Sequence, residues 1–134
     1  MKKFSSKNQK IGETGENLAE MFLVKHGYTV LERNYTVLYG EIDIICIKDG
    51  TLHFIEVKSV SRENIHDNVS HETNGIQPEE NMHYKKIQKL HKTIEIYLEK
   101  NSVSHETPWK LDLVCVYLNH KIKKGKVKLI KNII

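Results

Sequence analysis

The chain has 134 residues, of which 39% are apolar and 28% charged, so it is long enough for one hydrophobic core and too short for two ordinary domains. This composition excludes a wholly disordered chain, and because no apolar run reaches the length of a signal peptide or membrane span, we expect a cytoplasmic protein with no membrane association. The net charge of +4, from 21 basic and 17 acidic residues, suits an anionic partner.

The first segments predict a basic arm followed by a helix. Residues 1–10 are polar and lysine-rich without apolar periodicity, which predicts a flexible arm ahead of a single domain at 11–134. Helical periodicity then runs from Glu13 to His26, and Gly27 stands where helices commonly end. On a helical wheel Glu16 falls at the edge of the apolar face, so we expect it beside the core.

Strands are predicted at 28–34 and on both sides of Asp49-Gly50 within 40–60, since Asp-Gly between alternating apolar residues is a strong hairpin signal. A two-residue turn places Asp43 opposite Glu56, with Lys58 on the same face of the hairpin. Opposed like charges destabilise a strand pair. The two carboxylates therefore need a cation between them or a raised pKa.

The second half predicts a long polar loop at about 60–77, a helix from after Pro78 to about Lys100, and strands at 111–118 and 126–130. Both cysteines lie within predicted strands and lack zinc-ligand spacing, so we expect buried thiols. The order α-β-β-β-α-β-β indicates an α/β fold, with a mixed sheet of about five strands flanked by helices.

The carboxylate pair is suited to metal chemistry. Phosphodiester hydrolysis needs neutralised phosphate charge and an activated water, which divalent metals supply. Asp43 and Glu56 are the expected ligands of Mg²⁺ or Mn²⁺, with the Val57 carbonyl as a further ligand and Glu16 as an outer one. Lys58 lies two residues after Glu56, where its ammonium can orient water and stabilise charge on the phosphate.

A set of short motifs in a fixed order resembles the YraN family of bacterial proteins. The motifs cover most of residues 12–118 and are Gly15-Glu16 with Ala19, Gly27-Tyr28, Arg33-Asn34-Tyr35, Gly40-Glu41-Ile42-Asp43, Phe54-Ile55-Glu56-Val57-Lys58, Pro78 with Lys86, and Leu111-Asp112-Leu113-Val114. The family is similar to restriction endonucleases and archaeal Holliday-junction resolvases. The resemblance implies a restriction-endonuclease-like fold and a PD-(D/E)xK catalytic site at Glu16, Asp43, Glu56 and Lys58.

Three side chains are candidates for nucleic-acid contacts: Lys86, Arg33 and Arg62. Lys86 borders the apolar stripe of the second predicted helix, and Arg33 lies near the end of the first predicted strand. In the family an arginine usually follows soon after the motif lysine, whereas here Val60 stands at that place and Arg62 comes later.

The sequence leaves three functions open. The first is a metal-dependent nuclease acting on DNA, including branched or otherwise structured DNA. The second is a module of the same fold that binds nucleic acid without cutting it, and the third is a protein-interaction adaptor. A homodimer is compatible with each by analogy with resolvases.

Overall fold

The computed structural model describes residues 7–61, 84–119 and 124–134, and within these ranges it contains two helices and five strands. The elements are α1 (Lys7–Lys25), β1 (Thr29–Val37), β2 (Gly40–Lys48), β3 (Thr51–Ser61), α2 (Tyr84–Lys100), β4 (Trp109–Asn119) and β5 (Lys124–Ile130). This order and the mixed sheet confirm the predicted α/β fold.

Some boundaries differ from those predicted. Helix α1 begins at Lys7, so it includes the last four residues of the predicted arm, which the apolar pattern alone did not mark as helical. Most of the predicted polar loop, including Arg62, lies outside the described residues, as does Pro78. Neither described helix combines the length and the apolar character that crossing a bilayer requires.

Two glycine turns set the direction of the chain around the first strands. At the end of α1, Gly27 has φ 93° and Tyr28 N donates to Leu23 O at 2.9 Å, which is the geometry of a Schellman cap. Asp49 and Gly50 have φ 51° and 78°, and β2 pairs with β3 from Lys48–Thr51 to Ile44–Ile55. The two-residue turn therefore sets the predicted hairpin register.

The sheet has the order β1-β2-β3-β4-β5, and only the β3–β4 pair is parallel among the described strands. Helix α2 connects these two parallel strands.

The two helices pack with different sets of buried sheet residues. The α1 core comprises Ala19, Leu23, Tyr28, Ile44, Cys46, Ile55, Val114, Val116 and Leu118, and the α2 core comprises Ile42, Ile45, Leu52, Phe54, Leu90, Ile94, Tyr97 and Leu111.

A buried acid ties the segment after β5 to the middle of the sheet. Asp112 is fully buried in β4, where its Oδ2 lies 2.7 Å from His53 Nδ1 and its Oδ1 accepts from Asn132 N at 2.6 Å. Buried carboxylates are tolerated where both oxygens have partners. Both cysteines are buried thiols, as expected.

Helix α1 crosses β3 at a glycine that admits no side chain. A Cβ at Gly15 would lie 2.8 Å from Ser59 Cβ, an overlap that rotation of the serine hydroxyl cannot relieve. The absence of a side chain lets the helix backbone approach the strand directly. Glu16, the next residue, is consequently held close to the sheet, where it pairs with Arg33 of β1.

Two glycines of α1 give a matched test of this contact. Gly15→Ala should lower the free energy of unfolding by about 1–3 kcal/mol, because an added methyl group overpacks the helix against β3. Gly12→Ala should raise it by about 0.5–1 kcal/mol, because a Cβ there has nothing within 4 Å and alanine is the better helix former. Urea denaturation of both variants measures the difference, and equal effects would show that α1 does not press on Ser59.

Candidate active site

Asp43 lies where strands β2 and β3 part. The backbone pairing of these strands extends to Ile44–Ile55, and just beyond it Val57 N donates to Asp43 Oδ2 at 2.8 Å. The carboxylate thus takes a hydrogen bond that a backbone carbonyl accepts in a regular ladder. Since one oxygen is held by the backbone of β3, the orientation of the other is fixed as well.

Strand β2 changes the face it presents at this same position. Residues two apart normally share a face of a strand. Nevertheless Ile44 packs in the α1 core and Ile42 in the α2 core, so the alternation shifts at Asp43 between them. Asp43 therefore occupies an irregular point of the strand and not a regular position on one face.

The side chains of the neighbouring strand β1 change face at the matching position. Arg33 pairs with Ile44 and reaches α1, whereas Tyr35 pairs with Ile42 and stacks edge-on against Tyr97 of α2 at 5.2 Å. Asn34 between them has φ 54°, the left-handed conformation that asparagine tolerates better than most residues. This shift in β1 accompanies the one that places Asp43.

Glu56 lies one residue beyond the last position of β3 that pairs with β2, and it is 7% exposed. Its Oε2 lies 2.7 Å from Lys86 Nζ, which α2 brings across the sheet. Lys58, two residues further along β3, lies within hydrogen-bonding reach of the same lysine. We call Asp43, Glu56, Lys58 and Lys86 the four-residue site.

Burial and like charge dominate the electrostatics of this site. Burial, followed by the charge of Glu56, raises the pKa of Asp43 to about 8, although the hydrogen bond from Val57 opposes the shift. Burial and the charge of Lys86 lower the pKa of Lys58 against the attraction of the two acids. Burial also favours the neutral form of Lys86, but its hydrogen bond to Glu56, the charges of Glu56 and Asp43 and the contact with Lys58 together outweigh burial and raise its pKa.

Glu16 and Arg33 form a separate clamp between α1 and β1. The Arg33 guanidinium lies 3.1 Å from Glu16 Oε1 and 2.8 Å from Glu20 Oε1, and it donates to Asn17 Oδ1 at 3.1 Å. Its Nε is buried without a hydrogen-bond partner among the described residues. Glu16 stays close enough for its charge to raise the pKa of Asp43, so it lies at the rim of the four-residue site.

The structure thus brings together Asp43, Glu56 and Lys58, with Lys86 as a direct partner of Glu56. It places Glu16 at the border and turns Arg33 toward helix α1. The shift at Asn34 was missed by sequence reasoning because no periodic pattern marks it. The position of Lys86 did have a signal, since this residue borders the apolar stripe of its helix.

The region that contains these residues matches a known family. The model of uncharacterised protein family UPF0102 covers residues 15–116 of the 134. This chain belongs to that family. The sequence resemblance to YraN proteins is thereby confirmed, and all members of the four-residue site fall within the matched span.

UPF0102 relatives cover almost the whole chain. A UPF0102 protein of a Nitratiruptor species is 38% identical over 127 residues, which is 95% of each chain. One of Campylobacter hominis is 39% identical over 129 residues, or 95% of this chain and 96% of the relative. One of Campylobacter fetus subsp. fetus is 36% identical over 122 residues, or 91% of each.

The donor atoms of this UPF0102 site suit an oxygen-binding cation. Asp43, Glu56 and the Val57 carbonyl offer oxygens only, which Mg²⁺ and Mn²⁺ accept while retaining several waters. A cation would also relieve the repulsion that raises the pKa of Asp43. The described residues gather no group of three histidine, cysteine or carboxylate ligands, so the fit is to a hydrated ion on two carboxylates.

The raised pKa of Asp43 predicts how stability depends on pH in metal-free protein. Its value of about 8 exceeds the ordinary 3.8, so the folded state binds the extra proton between these values. This contribution to the free energy of unfolding is complete below pH 4 and is lost as pH rises through 8, by at most about 1.4 kcal/mol per pH unit.

Asp43→Asn removes this titratable group. The free energy of unfolding of the variant should therefore lack the fall with pH that the Asp43 proton causes in wild type. Urea denaturation in chelator from about pH 4.5 to about pH 8.5 should show wild type losing stability relative to the variant as pH rises. Glu106→Gln, which changes an exposed acid outside the site, is the matched control and should follow wild type. Parallel curves for wild type and Asp43→Asn would contradict a protonated Asp43 in the folded state.

Proposed function

We propose that this UPF0102 protein is a metal-dependent nuclease of the PD-(D/E)xK type that hydrolyses phosphodiester bonds in DNA. The observation that carries the proposal is the partly buried pair of carboxylates, Asp43 and Glu56, with the ammonium of Lys58 beside it. Holding two acids together this way destabilises a fold. Such an arrangement is characteristic of functional sites, where perturbed pKa values cluster.

Asp43, Glu56 and the Val57 carbonyl would hold the metal, Mg²⁺ or Mn²⁺. When bound, the ion would neutralise phosphate charge and activate a water molecule. The chain contributes preorganisation: Val57 N keeps the Asp43 carboxylate in one orientation at 2.8 Å. An oriented carboxylate needs no rearrangement when the reaction begins, which is the main advantage of a folded site over water.

Lys58 is the residue assigned to the phosphate. Burial and Lys86 lower its pKa, so its ammonium is less tightly solvated and releases a proton more readily than an exposed lysine. Its position two residues after Glu56 puts the donor next to the acids. From there it can donate to a phosphate oxygen as negative charge develops, or orient the attacking water.

Lys86 acts as a built-in counter-ion for Glu56. At 2.7 Å its ammonium neutralises the acid in the metal-free protein. A divalent ion on Glu56 competes for the same oxygen, so metal uptake would release Lys86 toward the phosphate of a bound strand. This exchange joins the two roles predicted for these residues, metal ligation by Glu56 and nucleic-acid contact by Lys86.

Exposed lysines provide a surface for the phosphate backbone. Lys85, Lys89 and Lys92 lie along the exposed side of α2, on the same helix as Lys86. Spacings of three and four residues place them on one side of the helix. Cations in such a row neutralise successive phosphates and make binding dependent on salt.

A binding module that does not cut is the second candidate. It is favoured by the observation that Glu56 is already paired with Lys86 and that the described residues gather no three-ligand metal group. In that case the four-residue site would be neutralised internally. The same lysine row would still hold DNA.

Cleavage separates these two candidates. With Mg²⁺ or Mn²⁺ and a panel of linear and branched DNA, Lys58→Ala should cut about 10²–10³-fold more slowly than wild type, because it removes a donor to charge that grows in the transition state. Its DNA affinity should change little. Lys85→Ala should instead keep the cutting rate of the bound complex while lowering the salt slope of binding by about 0.7–0.9.

An unchanged metal-dependent rate in Lys58→Ala would show that this site is not the nuclease site. If wild type binds the DNA panel and cuts none of it with any metal, the binding module replaces the nuclease.

Metal affinity tests the counter-ion role of Lys86 without reference to activity. Lys86→Met removes the competitor, so Mn²⁺ should bind about five- to tenfold more tightly by calorimetry, a gain kept modest because Lys86 is partly exposed and screened. The metal-free variant should melt at a lower temperature because Glu56 loses its partner. Lys85→Met, one residue away on the exposed side, should match wild type in both measurements.

A further inference from the structure

The turn between β1 and β2 leads into the strand that carries Asp43, and it exposes two apolar side chains. Leu38 is 94% exposed and Tyr39 is 49% exposed, between strand ends paired at Val37 and Gly40. A single exposed leucine is ordinary. Here it stands next to a half-exposed tyrosine and a cationic helix, and that combination indicates a ligand with both flat apolar and anionic parts.

The turn is held firmly against α2. A Cβ at Gly40 would lie 3.1 Å from the hydroxyl of the buried Thr93, so strand and helix touch there. On the preceding residue of the helix, Lys92 Nζ lies 5.0 Å from the centre of the Tyr39 ring. A half-exposed aromatic ring with a cation on one side is an arrangement that stacks nucleobases next to their phosphates.

A hollow of about 470 Å³ opens between the turn and α2. Its lining combines apolar side chains with a charged end and consists of Val37, Leu38, Tyr39, Ile96, Glu99 and Lys100. This volume is within the range of small-molecule sites. An apolar hollow with one acid and one base in its lining suits a heterocycle that has flat faces and hydrogen-bonding edges.

The distance from the turn to the acids corresponds to a few nucleotides of a DNA strand. From Gly40 to Asp43 is about 10 Å along β2, and from Lys86 to Lys92 is about 9 Å along α2. These lengths correspond to about three steps of a B-form strand at about 3.4 Å each. The exposed Lys89 lies between the two ends, so a strand could follow the lysine row from the turn to the acids.

We propose that the β1–β2 turn and its hollow bind an unpaired nucleobase of the DNA strand whose phosphates follow Lys89 and Lys92 to the four-residue site. Tyr39 stacks the base, and Leu38 packs against the end of the neighbouring base pair. This inference rests on the proposed function and specifies its substrate: a strand with an unpaired base within about three nucleotides of the phosphate that is cut.

Binding without metal tests the proposal separately from catalysis. In chelator, the protein is titrated into a duplex carrying one unpaired 2-aminopurine and into the same duplex fully paired. Wild type should bind the unpaired probe about tenfold more tightly and change its fluorescence. Tyr39→Ala should lose this preference while keeping its affinity for the paired duplex, because the ring on which the base stacks is gone.

Three variants complete the test. Tyr39→Phe should retain the preference because the ring remains, and Leu38→Ser should weaken it while melting like wild type, since its side chain is almost fully exposed. Met21→Ala, an exposed apolar residue on α1, is the control and should bind like wild type.

No preference in wild type, or an equal preference in Tyr39→Ala, would overturn the inference, as would a dimer in solution that Leu38→Ser dissociates. The cutting assay then locates the failure. Cutting that does not depend on Leu38 and Tyr39 rejects the base site and leaves the nuclease, whereas base preference without any cutting rejects the nuclease and leaves the base site.

Discussion

Two carboxylates that share a partly buried space are the constraint on which the rest of this site depends. Asp43 and Glu56 repel each other, and burial prevents water from screening them. Three groups offset this repulsion. A backbone N–H donates to Asp43, the ammonium of Lys86 pairs with Glu56, and the ammonium of Lys58 lies nearby. A proton on Asp43 is a further response in the metal-free site, because it removes one of the two charges that repel each other.

Much of the fold could be predicted because its signals are local. The Asp49-Gly50 turn set the register of the central hairpin, and helical periodicity located both helices to within a few residues at most ends. The start of α1 at Lys7 was missed because the residues before Gly12 carry little apolar pattern. Local sequence signals therefore predicted which helices and strands form better than they predicted where a helix begins.

The parts of the site that could not be predicted depend on tertiary packing. Asn34 adopts φ 54° in a segment whose composition is that of an ordinary strand, and the face change that places Asp43 accompanies it. The pairing of Lys86 with Glu56 depends on how α2 returns to the sheet, and sequence spacing does not encode that angle. Likewise, the same sequence pattern that made Glu16 a ligand candidate gave no sign that Arg33 would hold it at 3.1 Å.

The link between Asp112 and the segment after β5 has a consequence for the order of folding. Asp112 Oδ1 accepts from a backbone N–H twenty residues later in the chain. A nascent chain that has emerged only as far as β4 contains this acid but not its donor, and burying the acid then leaves it with an unmet hydrogen bond. Closure of the central sheet should therefore await synthesis of β5 and the residues that follow it, which favours late, cooperative folding over folding strand by strand.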